Sequence, residues 1–252
     1  MAIKDFLDNV SYPNMNQRES IFNNYFNTTN LHLDINPYLR LNNLSSKIKA
    51  DFFDSQGLFY TVNKDLREKV RRFNNDVFYI TDSIFRMVNY YDLMNSSSTE
   101  DERIIYEVLY RKSARCVCAE VFMYEEKIKN MIRLIYQFDD TTRKYDIFMR
   151  RLKQYSKTDP LAFQFRKIFI KYTNHADVKF IKQIRHDEIH NDSPIEEYTD
   201  IQPLAPGVIS YCELFYVVSN EKLYNSIREV LEQQKVLKDS LQIILDNHRI
   251  NT

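Results

Sequence analysis

The chain has little glycine, little proline and no tryptophan. It contains two glycines and six prolines in 252 residues. Folds built from strands and tight turns use glycine at many positions, so this composition favours long helices. Neither Gly57 nor Gly207 has a second glycine nearby, which excludes a glycine-rich loop for nucleotide phosphates.

Cysteine is also scarce, at Cys116, Cys118 and Cys212. The count is odd, and the first two lie too close on one helix to bridge without strain, which argues against a disulfide framework. We expect reduced, buried thiols. The N-terminal segment carries acids where a signal peptide has an apolar run, and no segment has the uncharged length that a membrane span needs. These absences predict a cytoplasmic protein with no membrane contact.

The formal net charge is zero, but the charges are unevenly distributed. Residues 143–185 contain twelve Lys or Arg and only three acids, whereas acids predominate from Asp187 to Asp246. A local excess of cations can form a surface that binds a polyanion. Solvated faces of amphipathic helices would give the same pattern.

Apolar residues recur at three- and four-residue steps through most of the chain, which predicts an all-α fold. We predict helices over residues 63–95, 100–138, 142–155, 161–172, 174–190 and 220–247. Residues 1–62 are polar and irregular, and we interpret them as an N-terminal extension with short helices packed on the body formed by residues 63–252. Residues 192–210 are expected to form a long loop, and the β-branched residues of 208–218 are compatible with a short strand. Four principal helices with one long connection favour a four-helix bundle.

The segment Ile184–Asp192 combines a permanent cation, Arg185, with a group that titrates near neutral pH, His190. In an unbroken helix these residues lie about 140° apart around the axis. They can meet one ligand only if the helix loosens before His190. Pro194 and the polar residues before it favour a helix end at that point.

This motif resembles that of the HEPN family, the "higher eukaryote and prokaryote nucleotide-binding" helical bundles. The family signature is an arginine, a polar residue, and a histidine four to six positions after the arginine. Arg185, His186 and His190 match it, and the expected bundle over residues 63–248 matches the family architecture. The resemblance implies a metal-independent endoribonuclease of the toxin or phage-defence type, acting as a homodimer. It also implies RNA as substrate and an antitoxin or other protein as a partner, with no cofactor and no metal.

The resemblance assigns roles to individual residues. His190 would move a proton at the RNA 2′-hydroxyl, and Arg185 would stabilise charge on the attacked phosphate. His186 and Asn191 would support these two groups. Glu120 and Asp82 are candidates for an acidic helper.

Residues 143–185, the basic run, supply candidate contacts to the RNA backbone at Arg150, Arg151, Lys153 and Lys182. The aromatic residues of 163–172 could stack on bases, although aromatic residues at helical spacing are also typical of a core.

Three structural or chemical alternatives remain open. Arg185 and His190 could simply complete the helix end, with Arg185 pairing to Glu188. The chain could be a catalytically inactive bundle that binds nucleotide, RNA or a partner protein through its basic face. His186 and His190 also have the spacing of a zinc-binding helix, with His175 or Asp192 as the nearest further ligands. However, Asp187 stands where that motif requires glutamate.

Overall fold

The computed structural model describes residues 15–27, 39–41, 57–138, 144–190, 198–205, 208–215 and 218–250. The described residues form seven helices and one two-stranded hairpin: α1 (Met15–Tyr25), α2 (Gly57–Ser96), α3 (Glu100–Ile135), α4 (Tyr145–Tyr155), α5 (Pro160–Asn174), α6 (Ala176–His190), β1 (Tyr198–Ala205), β2 (Val208–Phe215) and α7 (Asn220–Ile250). The prediction of a helical protein is confirmed. The first long helix begins at Gly57, which lies within the segment interpreted as an extension.

Local sequence signals account for where the helices begin. Thr99 caps α3 by accepting a hydrogen bond from the Glu102 amide, and three acids in the first turn favour the positive end of the helix dipole. Asp159 caps α5 in the same way, 2.8 Å from the Leu161 amide nitrogen. Pro160 follows at the first helical position, where its missing N–H leaves no carbonyl unsatisfied.

The α3 helix lies at the centre of the fold, in contact with α2, α6 and α7. Residues that pack against each other along α2 and α3 run in opposite order, with Asp76 beside Lys127 and Ser83 beside Glu120. The two helices are therefore antiparallel. By contrast, α7 runs parallel to α3, because its start contacts Tyr110 and its middle contacts Val121.

One hydrophobic core joins the helices, and its largest buried side chains are aromatic. The buried tyrosines place their hydroxyls on backbone carbonyls: Tyr110 bonds Asn220 O at 2.8 Å and Tyr124 bonds Leu39 O at 2.8 Å. Such bonds satisfy the polar atoms that burial removes from water. Asn74 adds a two-sided clasp, accepting from the Leu41 amide and donating to the Leu41 carbonyl. These contacts attach residues 39–41 to the helical body.

The hairpin connects α6 to α7 and differs from the expected loop. β2 lies where the sequence is compatible with a strand, but β1 falls in the segment expected to be irregular. The register of the antiparallel pair shifts on both sides of Pro203. Proline has no N–H to donate to a ladder, so an irregular position of this kind is where a strand tolerates it.

Two expectations about surface and membrane can be compared with the structure. Cys118 is buried, as expected, but Cys116 is exposed, so the expectation of a buried thiol is wrong there. The reason is that the two residues lie about 200° apart around α3. Within the described ranges, no helix is both long and apolar enough to span a bilayer.

Candidate nucleic-acid interface and the Arg185 motif

The α6 helix continues without a break to His190. The expectation that it loosens before that residue is therefore wrong, and Arg185 and His190 lie about 140° apart around the helix axis. Proline lacks a backbone N–H, but position 194 lies beyond His190. Pro194 therefore removes no N–H donor from the residues up to His190. The side chain of His190 and all of Asn191 lie outside the described residues, while His186 is exposed on α6.

Arg185 is half-buried and packs on an aromatic ring. Its guanidinium carbon lies 4.5 Å from the centroid of Phe122 on α3. A cation over a ring face is held electrostatically, and the planar guanidinium also stacks on it. Phe122 therefore orients Arg185, a relationship that no local sequence signal could have revealed because 63 positions separate the two residues.

Lys182, one turn before Arg185, is held by α3 as well. Its Nζ lies 2.8 Å from Glu125 Oε2 and 5.7 Å from the ring centroid of Phe122. The contact is an ion pair, and Glu125 Oε2 accepts no hydrogen bond. Lys182 was predicted as an RNA contact, and the structure places it half-buried against this carboxylate.

Glu125 is the centre of a buried polar cluster. Its second oxygen lies 3.7 Å from Nζ of Lys129, which is also buried and contacts Glu126. Tyr172 on α5 closes the cluster: burial, and secondarily the charge of Glu125, raises the pKa of its phenol. The adjoining crevice is too narrow to admit a water molecule. The cluster thus holds α6 on α3 and offers no substrate pocket.

The basic run forms an exposed surface on α4, α5 and α6. Its exposed cations are Lys144, Arg150, Arg151, Lys153, Lys157, Lys167, Lys171 and Lys179. Successive helices of this group pack together, α4 on α5 and α5 on α6, so the cations share one region of the protein. We call these eight residues the basic surface. Arg150, Arg151 and Lys153 spread over about 160° of the solvent side of α4.

Two of the three acids in the run are engaged away from these cations. Asp159 caps α5 and accepts a 2.6 Å hydrogen bond from the Tyr136 hydroxyl. Asp177 accepts from Ser226 Oγ at 2.6 Å and from Lys222 Nζ at 3.1 Å, and the pKa of its carboxyl is lowered by these bonds despite partial desolvation. These two acids therefore do not neutralise the cations of the basic surface.

One aromatic side chain stands out on the basic surface. Phe165, Phe169 and Tyr172 are buried in the core, whereas Phe163 has 52% of its surface exposed. Lys167 and Lys171 follow Phe163 at four-residue steps, so the three share one stripe of α5. The sequence left two interpretations of these aromatic residues, a core position or an exposed position able to stack on bases. The three buried residues occupy the core, and Phe163 is exposed to solvent.

The two candidate acidic helpers lie on a different side of the molecule. Glu120 accepts a 3.1 Å hydrogen bond from Ser83 on α2, and Asp82 pairs with Arg86. Since Glu120 and Phe122 lie about 200° apart around α3, Glu120 faces away from Arg185. Partial burial raises the pKa of Glu120 to about 7, with the hydrogen bond from Ser83 opposing the shift.

The histidines do not assemble a metal site in the part of the chain that the structure describes. No group of three or more His, Cys, Asp or Glu there could hold an ion. His175 lies between α5 and α6 with Nδ1 3.8 Å from Asp177 Oδ2, away from the end of α6. Asp177 is already engaged by Lys222 and Ser226.

Comparison of the chain with protein-family models, curated proteins and solved structures finds no match.

Proposed function

We propose that the protein binds RNA on the basic surface and cleaves it at the end of α6, as a metal-independent endoribonuclease of HEPN type. The observation that carries the proposal is the basic surface itself. Eight exposed cations lie on or beside three consecutive helices that lead to Arg185, with α4 packed on α5 and α5 packed on α6. Phosphate contacts from such cations provide affinity that is largely independent of sequence.

Cleavage requires an acid–base group and a cation at one phosphate. His190 would accept the proton of the 2′-hydroxyl, whose oxygen attacks the adjacent phosphorus and displaces the 5′-oxygen of the next nucleotide. Arg185 would stabilise the negative charge that builds on the phosphoryl oxygens. Because the two residues lie about 140° apart on the unbroken helix, the proposed cleavage requires the last turn of α6 to unwind so that both side chains reach one phosphate at the helix end. His186 and Asn191 would position the strand there.

The resemblance that suggests this chemistry also suggests a biological setting. Enzymes of this type often act as toxins or in phage defence, and an antitoxin or other protein partner would then control the activity. We include both in the proposal, together with a cytoplasmic location.

A specific observation favours a second candidate, an inactive RNA-binding bundle. Arg185 packs on Phe122 inside an unbroken helix, an arrangement that a purely structural arginine would also adopt. In this alternative the basic surface binds RNA or another polyanion and no cleavage occurs.

One experiment tests binding and cleavage separately. Fluorescence anisotropy with labelled RNAs would measure affinity across a salt series for the wild type and for the triple variant Arg150→Glu, Arg151→Glu, Lys153→Glu. Binding weakens as salt rises, so the plot of log K against log salt has a negative slope. Loss of three phosphate contacts should make this slope shallower by about 2 for a single strand. The matched control reverses charges elsewhere, at Arg71, Lys112 and Lys235.

The outcomes separate the two candidates. Equal loss of affinity for many RNAs in the first triple variant, with an unchanged control, supports the basic surface. Unchanged affinity in the first variant would overturn it. RNA fragments produced by the wild type, and absent with Arg185→Ala, support the enzyme; RNA that is bound but never cut supports the inactive bundle.

A further inference from the structure

An open recess of about 190 Å³ lies between α2 and α3. Its lining residues are Lys69, Arg72, Phe73 and Asp76 from α2, and Lys127, Asn130 and Met131 from α3. On α3, Lys127 lies about 140° around the helix axis from Phe122, the residue that contacts Arg185. The recess therefore lies on a different side of α3 from the Arg185 motif, and it contains no residue of the basic surface.

The sequence of α2 places its polar lining residues on one stripe. Lys69, Arg72 and Asp76 follow one another at three- and four-residue steps, so they are neighbours on one face of the helix. Phe73 and Met131 are buried side chains that supply an apolar floor. A few polar groups around an apolar floor are typical of a small-molecule site.

The rim of the recess has an excess of positive charge. Lys69, Arg72 and Lys127 are cations, and Asp76 is the single carboxylate among the described lining residues. Asp76 is engaged by Lys127 in an ion pair that joins the two helices. The other two cations, Lys69 and Arg72, therefore line the recess without a carboxylate of their own inside it.

The nearest acid outside the recess does not cancel this excess. Glu68 accepts hydrogen bonds from both Arg71 and Arg72, so one carboxylate is shared by two guanidinium groups. Arg72 uses only its Nε atom in this contact, at 2.7 Å. Within the described part of the chain, its two Nη atoms and the exposed Lys69 have no acidic partner.

Two groups on α3 complete the set of donors. Asn130 accepts a hydrogen bond from Nη1 of Arg133 at 2.6 Å through its amide oxygen, which leaves its NH₂ group as a donor. Partial burial lowers the pKa of Lys127 even with Asp76 beside it. A further anion next to this ammonium would therefore favour its charged form.

We propose that the recess binds a small phosphate ester. A phosphate monoester carries close to two negative charges at neutral pH, which matches the excess on the rim. The Nη atoms of Arg72 suit two of its oxygens in the two-pronged manner of a guanidinium, and Lys69 and Asn130 donate to the third. A carboxylate brings one charge and two oxygens, so it would leave part of this donor set unused.

The volume of the recess sets the size of the ligand. Pockets that enclose drug-sized molecules have about 300–1,000 Å³, which is larger than this recess. The recess therefore accepts a phosphate with a short substituent and not a whole nucleotide. Phe73 and Met131 on the floor would contact the carbon atoms of that substituent. Because the walls come from α2 and α3, a bound ligand joins the two helices and stabilises the folded state.

Isothermal titration calorimetry of the full chain tests the site, with glycerol phosphate as the probe and glycerol at the same ionic strength as the uncharged control. We expect saturable binding of one glycerol phosphate per chain and no binding of glycerol. Lys69→Ala and Arg72→Ala should each weaken binding about tenfold, the equivalent of one charge-assisted hydrogen bond. Both residues are exposed, so these variants keep the fold. Lys112→Ala, at an exposed lysine elsewhere on α3, is the matched control and should bind like the wild type.

A gain of affinity tests the charge balance of the recess. Asp76→Asn removes the acid from the rim and releases Lys127 toward the ligand, so it should strengthen binding of glycerol phosphate about tenfold. The lost ion pair costs little stability because both of its side chains are partly exposed. Circular dichroism verifies that each variant is folded.

Three results would overturn the inference. A wild type that shows no saturable binding of glycerol phosphate removes the site. Unchanged affinity in the folded double variant Lys69→Ala, Arg72→Ala places the phosphate at another surface. Weaker binding in folded Asp76→Asn contradicts the charge balance. RNA binding and cleavage depend on other residues, so each of these results leaves the proposed function as it stands.

Discussion

Arg185 lies over the ring of Phe122, with the guanidinium carbon 4.5 Å from the ring centroid. Together with the ion pair between Lys182 and Glu125, this contact anchors the motif-bearing helix α6 to the central helix α3. Arg185, the residue proposed to stabilise the transition state, is thus oriented by α3, which has no other role in the proposed chemistry.

Arg185→Ala is expected to abolish RNA cleavage and to lower the free energy of unfolding by only about 1 kcal/mol, the worth of a partly exposed cation–π contact. His190→Ala should abolish cleavage as well, and the double variant should lose little more than either single variant, because both groups serve one transition state. Cleavage of a mixed RNA pool and urea unfolding measure the two effects. Retained cleavage in His190→Ala would remove that histidine from the mechanism.

Cleavage should survive EDTA and leave 2′,3′-cyclic phosphate ends, since the proposed nucleophile is the neighbouring 2′-hydroxyl and the proposed groups are Arg185 and His190. Mass spectrometry of the fragments identifies the ends. Fragments with 5′-phosphate and 3′-hydroxyl ends, or a requirement for added divalent metal, would show that a different chemistry operates.

Glu125→Gln should destabilise the protein by about 3 kcal/mol, because it removes the acid from a buried ion pair and leaves Lys129 and Lys182 without their common counter-charge. The neighbouring Glu126→Gln is the matched control. Glu126 has 53% of its side chain exposed, and we expect a loss of less than about 1 kcal/mol there. Urea unfolding compares them, and equal losses in the two variants would contradict the central place given to Glu125.

Glu120 should make stability fall as pH rises toward neutrality. Partial burial raises the pKa of its carboxyl from 4.5 to about 7, so the folded protein holds this proton more tightly than the unfolded chain. Between those values the folded state binds more protons, and the free energy of unfolding decreases with increasing pH. The stabilisation is complete below the unfolded pKa and is lost as pH passes through the folded pKa.

Replacing Glu120 by Gln removes this titration. The free energy of unfolding of the variant, relative to that of the wild type, should therefore be higher at pH 8 than at pH 4. Urea unfolding at the two pH values measures the difference. Asp82, whose negative charge contributes to the raised pKa, is the comparison site, and Asp82→Asn should lower the pKa of Glu120 by removing that repulsion. An identical pH dependence in wild type and Glu120→Gln would show that Glu120 titrates normally.

Phe163→Ala should weaken binding of single-stranded RNA by about 1–3 kcal/mol if one base stacks on this exposed ring. Binding of duplex RNA should change little, because its bases are not available for stacking. Phe163→Trp, which keeps an aromatic face, is expected to restore affinity in the same anisotropy assay. Equal affinities for single strands in wild type and Phe163→Ala would leave the basic surface as the sole source of binding.

Sequence reasoning was most successful for the helices. Periodicity depends on residues within a few positions of each other, and the observed starts of α3 and α5 agree with the predicted ones. It cannot reveal contacts between distant residues. Lys182 was predicted as an RNA contact, and the ion pair that it forms with Glu125, 57 positions away, has no signal in the local sequence.

The aromatic stripe of α5 shows the same division. Residues at helical spacing can all belong to a core, and only packing against α4, α6 and α7 buries Phe165, Phe169 and Tyr172 while leaving Phe163 in solvent. The end of α6 agrees with the predicted range of 174–190, but the expected loosening before His190 is absent, because the helix is continuous to that residue.

The sequence by itself determined that this protein is helical, where most of its helices begin and where its cations are concentrated, because these properties depend on composition and on neighbours along the chain. Only the tertiary structure decided which cations are paired, which aromatic side chain is exposed and that Glu120 faces away from Arg185. Those outcomes depend on how helices far apart in sequence pack, and a local pattern contains no information on which face meets which neighbour.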